Sequence, residues 1–204
     1  MRSQDEACKA ARLLIDVARP KKGGYRNYLP WHVFEALRIL RSGYAGRPQL
    51  SRALGLGEAS VKTMLSELER LGLVKRSRRG RSATDRGAAI VDIIEKHIML
   101  NKIELLFFPG RRAVIILVAS AGPPRDLTRV YEIRDHLVTY GCRTALIGGS
   151  DGASIFFPGV PSSITAKIHI PGNLPEGTII IAPAKCTLEA ASAGLSVLAE
   201  SCSH

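Results

Sequence analysis

Residues 56–87 constrain this chain more than any other stretch. The run LGEASVKTMLSELERLGLV sets Val61, Leu65, Leu68 and Leu71 along one helical stripe, with Met64 beside them, and Gly72 ends the helix. KRSRRGRSATDRG follows and reads as two short strands about a turn at Gly80. That hairpin carries Arg76, Arg78, Arg79 and Arg81, four arginines within six residues. The helix face opposite the apolar stripe holds Ala59, Ser60, Lys62, Thr63 and Ser66. Small, polar and singly charged, it suits a groove. A solvated helix face more often carries Glu–Lys pairs, and here the charges gather only later, at Glu67, Glu69 and Arg70.

The charge distribution points the same way. The 204 residues carry a net charge of +11. Residues 1–100 hold 20 Lys/Arg against 10 Asp/Glu, whereas residues 101–204 hold 9 against 8. A basic half joined to a near-neutral half implies an anionic partner for the first half alone. The four cysteines, Cys8, Cys142, Cys186 and Cys202, form no CxxC pair, which argues against a zinc ribbon. The first 20 residues mix Asp5, Glu6, Lys9, Arg12 and Asp16 among apolar positions, unlike a signal peptide. No apolar run reaches the ~18 residues of a membrane span. These features predict a cytoplasmic protein off the membrane, with thiols mainly reduced.

Three segments follow from the pattern. Residues 1–29 comprise a helix over DEACKAARLLIDVA and the basic stretch RPKKGGYRNY, either a solvated linker or a DNA-contacting arm. Residues 30–108 begin with a helix opened by Pro30, whose stripe is Val33, Phe34, Leu37 and Leu40. A short helix RPQLSRAL follows, closed by Gly55, with Leu50, Ala53 and Leu54 facing inward. After the hairpin, Thr84 is placed to cap a helix that Asp85 favours electrostatically. That helix is expected to continue as a long connection through GAAIVDIIEKHIMLNKIELLF, with Ile90, Ile94, Ile98 and Leu105 on one face. Phe107-Phe108-Pro109-Gly110 reads as a boundary.

Residues 109–204 read as a small α/β domain. RRAVIILVAS is a continuous apolar run of the kind found in a strand buried on both faces. Asp126 is placed to cap a helix at 127–140 that Gly141 closes, and residues 144–147 form the next strand. Strand–helix–strand order implies a parallel pair with a right-handed crossover. Residues 154–157 and 167–170 are candidate edge strands, 178–181 another apolar strand, and 187–199 a final helix. The expected fold class is therefore α+β or α/β: a helical DNA-reading module with a hairpin, then a domain with a partly parallel sheet.

Helix, turn, helix and basic hairpin together make a winged helix-turn-helix. QLSRALGLGEASVKTMLSELERLGLVKR and TDRGAAI resemble the winged-helix domains of bacterial and archaeal transcription regulators, in the broad MarR/ArsR/Lrp-like sense. TDRG is similar to the T-x-x-G that opens the helix after the wing in MarR-type proteins. The resemblance covers residues 31–100 and implies sequence-specific binding of double-stranded DNA, usually as a homodimer. In those families the residue before the recognition helix is often Ser or Thr; here it is Gly57. The chain is also similar to an uncharacterised archaeal group that joins such a domain to a C-terminal α/β domain, which supplies no function.

In such a module the second helix reads base edges while neighbouring parts hold the backbone. Ser60, Lys62, Thr63 and Ser66 are the base-edge candidates, Lys62 toward guanine and Thr63 through its methyl toward thymine. Arg76, Arg78, Arg79 and Arg81 are candidates for phosphate or the minor groove, as are Arg47 and Gln49 at the start of the preceding helix. Winged helices also serve as protein-contact or RNA modules, but many of those lack a basic wing. A non-sequence-specific chromatin or processing protein is the alternative role.

For the C-terminal half, three readings compete. A small-molecule effector site would lie beyond strand ends, at Gly148, Gly149, Ser150, Asp151 and Lys185, where a Gly-rich turn exposes N–H groups to an anion. The bland reading is that these are only turns. A purely structural dimerisation domain is the second possibility. An enzyme domain, drawing on Asp126, His136, Asp151, Lys185 or Cys186, is the third, but no HExxH or GxSxG appears. No catalytic residue, cofactor or metal is therefore assigned. A metal or redox sensor would use Cys142, Cys186, Cys202, His169 or His204, although scattered cysteines are more often small core residues.

Overall fold

The computed structural model describes residues 2–20, 27–104, 112–168, 170 and 174–202. In chain order its elements are α1 (Arg2–Ala18), α2 (Pro30–Ser42), α3 (Arg47–Leu54), α4 (Glu58–Arg70), β1 (Val74–Ser77), β2 (Gly80–Ala83), α5 (Asp85–His97), β3 (Ile98–Glu104), β4 (Arg112–Ala119), α6 (Leu127–Tyr140), β5 (Leu146–Ser150), β6 (Ile155–Phe156), α7 (Ser162–Thr165), β7 (Gly177–Pro183), a 3-10 turn (Ala184–Cys186) and α8 (Thr187–Glu200). Two units result. One is Lys9–Glu95; the other joins residues 1–8 to Lys96–His204. The division falls inside α1 and α5, not at 109.

In the Lys9–Glu95 unit the predicted stripes are the buried ones. Val33, Phe34, Leu37 and Leu40 of α2 are buried, as are Leu50 and Leu54 of α3 and Val61, Met64, Leu65 and Leu68 of α4. Trp31 and Phe34 add a tilted ring pair at 4.5 Å. Ala53 is exposed, and Leu71 is half-buried as the C-cap of α4. Gly55 closes α3 at φ 65°, a left-handed conformation that costs glycine little. β1 and β2 pair antiparallel from Val74↔Ala83 to Ser77↔Gly80. Arg41 ties the end of α2 to α5 through Asp92 and Glu95, at 2.5 and 3.0 Å.

The expected long connecting helix stops at His97. Ile90, Ile94 and Ile98 are buried as predicted, while Leu105 lies outside the described residues; but Ile98 already begins β3. There Ile98 pairs with Val118 and Glu104 with Arg112 of β4. Ile90, Ile94 and Ile98 fit a helical period, so the sequence reads on as helix. Antiparallel pairing with a strongly apolar strand overrides that local preference.

The second unit is built on one five-stranded sheet in the order β3-β4-β7-β5-β6. Every pairing is antiparallel, which corrects the expected parallel pair. β4 and β5 do run in the same direction across the α6 crossover. β7 inserts between them and runs against both. A continuous apolar run reports burial on both faces, and that burial is present. Ala113, Ile115 and Leu117 join Ile103, Phe157, Ile168, Ile179 and Ile181 on one face. On the other, Ile116 and Val118 meet α8, where a Cβ on Gly194 would stand 3.0 and 3.5 Å from them. The edge strand expected at 154–157 is β6, whereas residues 167, 168 and 170 lie in no strand.

Caps fall where the sequence placed them. Asp126 accepts from Arg129 N at 2.9 Å, and Gly141 ends α6 at φ 101°. The cysteines correct the expectation of reduced thiols: Cys8 and Cys202 form a disulfide across a sequence separation of 194. The boundary motif at 107–110, the basic residues 21–26, His169 and His204 lie outside the described residues.

Candidate nucleic-acid interface

α4 and the β1–β2 hairpin bring most of the predicted contact residues to the surface of one unit. Lys62, Thr63 and Ser66 are exposed on α4 while Ser60 is half-buried. Thr63 Oγ1 donates to Ala59 O at 3.1 Å, which commits its hydroxyl to its own helix. No side chain caps α4: its N-cap is Gly57, and Val61 N donates to Gly57 O at 3.1 Å.

The hairpin is fixed at several points. Ala45 and Arg81 exchange backbone hydrogen bonds at 2.9 and 3.0 Å, which adds a third short segment beside β2. Gly80 has φ 122°, and a Cβ there would stand 3.0 Å from Ala45 O. Ser77 Oγ donates to Gly80 O at 3.1 Å and accepts from Arg79 N at 3.2 Å. At the far end, Thr84 Oγ1 donates to Gly72 O at 2.8 Å and accepts from Gly87 N at 3.2 Å. This is the predicted cap of α5, and it also binds the end of the hairpin to the turn after α4.

The arginines differ in their partners: Arg19 pairs with Asp16, and Arg52 and Arg86 donate to the carbonyls of Pro48 and Leu71. Arg38, Arg41, Arg70 and Arg81 are in ion pairs with Glu35, with Asp92 and Glu95, with Glu67, and with Glu69, respectively. Arg76, Arg78 and Arg79 are exposed, and among the described residues no salt bridge engages them. Arg81, grouped with them in the sequence, thus separates: its side chain is 17% exposed and joins β2 to Glu69 of α4. Arg47 is exposed, whereas the Gln49 side-chain oxygen accepts from Gly46 N at 2.7 Å and caps α3.

The effector site predicted in the second unit is not assembled. Gly148, Gly149 and Ser150 form the buried strand β5 and expose no Gly-rich turn. A Cβ on Gly148 would stand 2.2 Å from Phe156 O, and one on Gly149 2.3 Å from Pro123 Cβ, so these glycines serve packing. Ser150 Oγ donates to Leu174 O at 3.0 Å. Asp151 accepts from Ala153 N and Ser154 N at 2.9 and 2.7 Å. Those bonds hold its carboxyl below the usual carboxylate range. Lys185 follows Pro183, while Ser150 pairs with Gly177 at the opposite end of β7. Six strand residues, roughly 20 Å, separate the two. The antiparallel insertion of β7 is the cause, since its C-terminal end lies away from those of β4 and β5.

Asp126 and His136 are engaged elsewhere, Asp126 as the cap of α6. His136 Nε2 meets Glu200 at 2.8 Å. Among the described residues no group of three or more His, Cys, Asp and Glu is arranged to hold a metal ion. No described helix is long and apolar enough to cross a membrane.

No family model matches the chain, and no curated protein matches it. Among solved structures the chain is similar to the hypothetical protein PH0730 from Pyrococcus horikoshii OT3. Identity is 24% and the TM-score 0.57, over 82% of this chain and 89% of that one. The likeness is one of fold.

Proposed function

We propose that the Lys9–Glu95 unit is a winged helix-turn-helix and that the protein is a DNA-binding transcription regulator. In this reading α4 enters the major groove and presents Lys62, Thr63 and Ser66 to base edges, with Ser60 at the helix start. Arg76, Arg78 and Arg79 hold phosphates or enter the minor groove, and Arg47 contacts backbone. The observation that carries the reading is the sorting of the arginines. Arg19, Arg38, Arg41, Arg70 and Arg81 are matched to carboxylates, while Arg76, Arg78 and Arg79 of the hairpin stay exposed and outside any described salt bridge, as do Arg47, Arg52 and Arg86. A hairpin serving only protein contact gains little from three such charges.

The second unit, in the same reading, pairs two copies on a two-fold site or senses an effector. Leu127, Tyr131 and Val138 of α6 are each about half exposed and follow a helical spacing along one side. That favours pairing over sensing, since the predicted effector residues are split between opposite ends of the sheet.

Selection of binding sites from randomised duplex DNA by the full chain, at near-physiological salt, tests the proposal. A palindromic motif is expected. Salt-sensitive binding with no enriched motif would favour the chromatin or processing role, and no binding would sink both.

A further inference from the structure

Among the described residues, Ser120 is the one residue other than glycine with a positive φ, at 70°. A left-handed backbone crowds a Cβ, so such a residue persists only where its surroundings hold it. Ser120 directly follows β4, whose last pair is Ala119↔Gly177. The Gln4 side-chain amide donates to Ser120 O at 3.0 Å and to Ser201 O at 3.3 Å. Two residues on, Gly122 O accepts from the buried Thr178 hydroxyl at 3.0 Å. These residues and His97 all belong to the unit formed by residues 1–8 and Lys96–His204.

The strained turn places a hydroxyl beside a base. Ser120 Oγ lies 3.3 Å from His97 Nδ1. His97 ends α5 and is buried, whereas Ser120 is exposed. A nucleophile needs that access, and its base needs that fixed seat. With the ring proton on Nε2, Nδ1 is the acceptor for the Oγ proton. Among the described residues no hydrogen bond engages the N–H of Ala121 or of Gly122. A serine on a tight turn past a strand, followed by N–H groups with no acceptor, has the parts to attack a carbonyl and to hold the oxyanion that develops. Val118 stands where the G-x-S-x-G pattern has its first glycine, so the sequence motif is absent even though Gly122 matches the last.

We propose that Ser120 and His97 form a nucleophile–base pair that cleaves carboxylic esters. No charged side chain is bonded to either group among the described residues, which suits a neutral substrate. Ser120 Oγ attacks the carbonyl carbon as His97 Nδ1 takes its proton. The carbonyl π pair moves onto oxygen, where the N–H groups of Ala121 and Gly122 are the donors. Collapse breaks the C–O bond to the leaving group, which takes the proton from Nδ1 and departs as an alcohol. Water then gives a proton to Nδ1 and attacks the acyl carbon. The Oγ–C bond breaks, Oγ regains the proton, and the carboxylic acid leaves.

The test treats the full, disulfide-bonded chain with a fluorophosphonate, maps the adduct by mass spectrometry, and follows hydrolysis of p-nitrophenyl acetate before and after. The expected result is one phosphonyl group on Ser120 and loss of ester turnover in the labelled protein. His97→Gln should slow labelling by about a hundred-fold or more, the usual share of a general base. Ser120→Gly suits a φ of 70°. It should therefore melt no lower than the wild type while turnover falls by about a hundred-fold or more. If His97→Gln fails to fold by circular dichroism, the wild-type map and Ser120→Gly decide. No adduct, an adduct on another residue, a folded His97→Gln labelled at the wild-type rate, or a Ser120→Gly variant with wild-type turnover overturns the proposal.

Discussion

The carbonyl oxygen of Leu73 stands 2.2 Å from where a Cβ on residue 87 would be, so Gly87 is held against the residue that leads into β1. Thr84 works at the same junction, accepting from Gly87 N and donating to Gly72 O. The Thr-x-x-Gly spacing thereby has a physical cause: one residue caps α5, and the other lets α5 approach the hairpin base. Gly87→Ala is expected to destabilise by about 1–3 kcal/mol, the usual cost of overpacking against backbone. Thr84→Ala is expected to cost about 1 kcal/mol. Denaturant melts of the two variants check this, and an unshifted midpoint for Gly87→Ala contradicts the close approach.

Arg81 should behave unlike its neighbours. Removing Arg76, Arg78 or Arg79 deletes one exposed charge, so each alanine variant should lower the slope of log affinity against log salt by about 1 and leave the melt unchanged. Arg81→Ala instead strands Glu69 and loosens β2 from α4, so it should lower the melting temperature. Fluorescence anisotropy on duplex DNA at several salt concentrations, beside thermal melts, separates the two classes. Four variants with equal slopes and equal melts would mean that the Arg81–Glu69 pair has no structural role.

The helical stripes and the caps at Thr84, Asp126, Gly55 and Gly141 were legible because each follows from local spacing or from one residue's conformational or hydrogen-bonding capacity. The sheet order was not. Nothing in RRAVIILVAS distinguishes a neighbour running with it from one running against it, and β7 arrives from residues 177–183, far down the chain. The end of α5 was missed for a related reason, since Ile98 fits both a helical stripe and an inward strand position. In the candidate interface, charge and exposure were readable, but pairing was not: Arg81 and Arg78 look alike until Glu69 is folded beneath one of them. Likewise Gly148 and Gly149 look like a ligand-cradling turn until Phe156 and Pro123 fill the space beside them.

Thr63 offers a finer test of base reading. Its hydroxyl bonds to Ala59 O, which leaves the methyl as the part free to face a base. Thr63→Val keeps a methyl and should preserve any preference for thymine. Thr63→Ser removes it and should weaken discrimination at one position, by about 1 kcal/mol on the scale of a buried methyl group. Lys62→Ala should relax a different position, one where guanine is preferred, by about 1–3 kcal/mol. Competition binding with single-base variants of the selected site measures both. Equal loss on all sequences would place these residues on the backbone instead.

The Cys8–Cys202 disulfide makes a prediction about which part of the protein it stabilises. Both cysteines belong to the unit formed by residues 1–8 and Lys96–His204. With a separation of 194 residues, loop-closure entropy alone sets an upper contribution of about 5 kcal/mol at 25 °C. The link does not close a loop within Lys9–Glu95, but it does hold the first turns of α1 to the end of α8. Reduction, or Cys8→Ser with Cys202→Ser, should therefore lower the transition reported by the sheet and leave that of the Lys9–Glu95 helices in place. Residue-resolved hydrogen exchange in oxidised and reduced protein reads the two separately. Amides of β4 and β7 should lose protection on reduction while those of α2 and α4 keep it. Equal loss in both sets would show that the chain unfolds as one cooperative body and that the disulfide stabilises all of it.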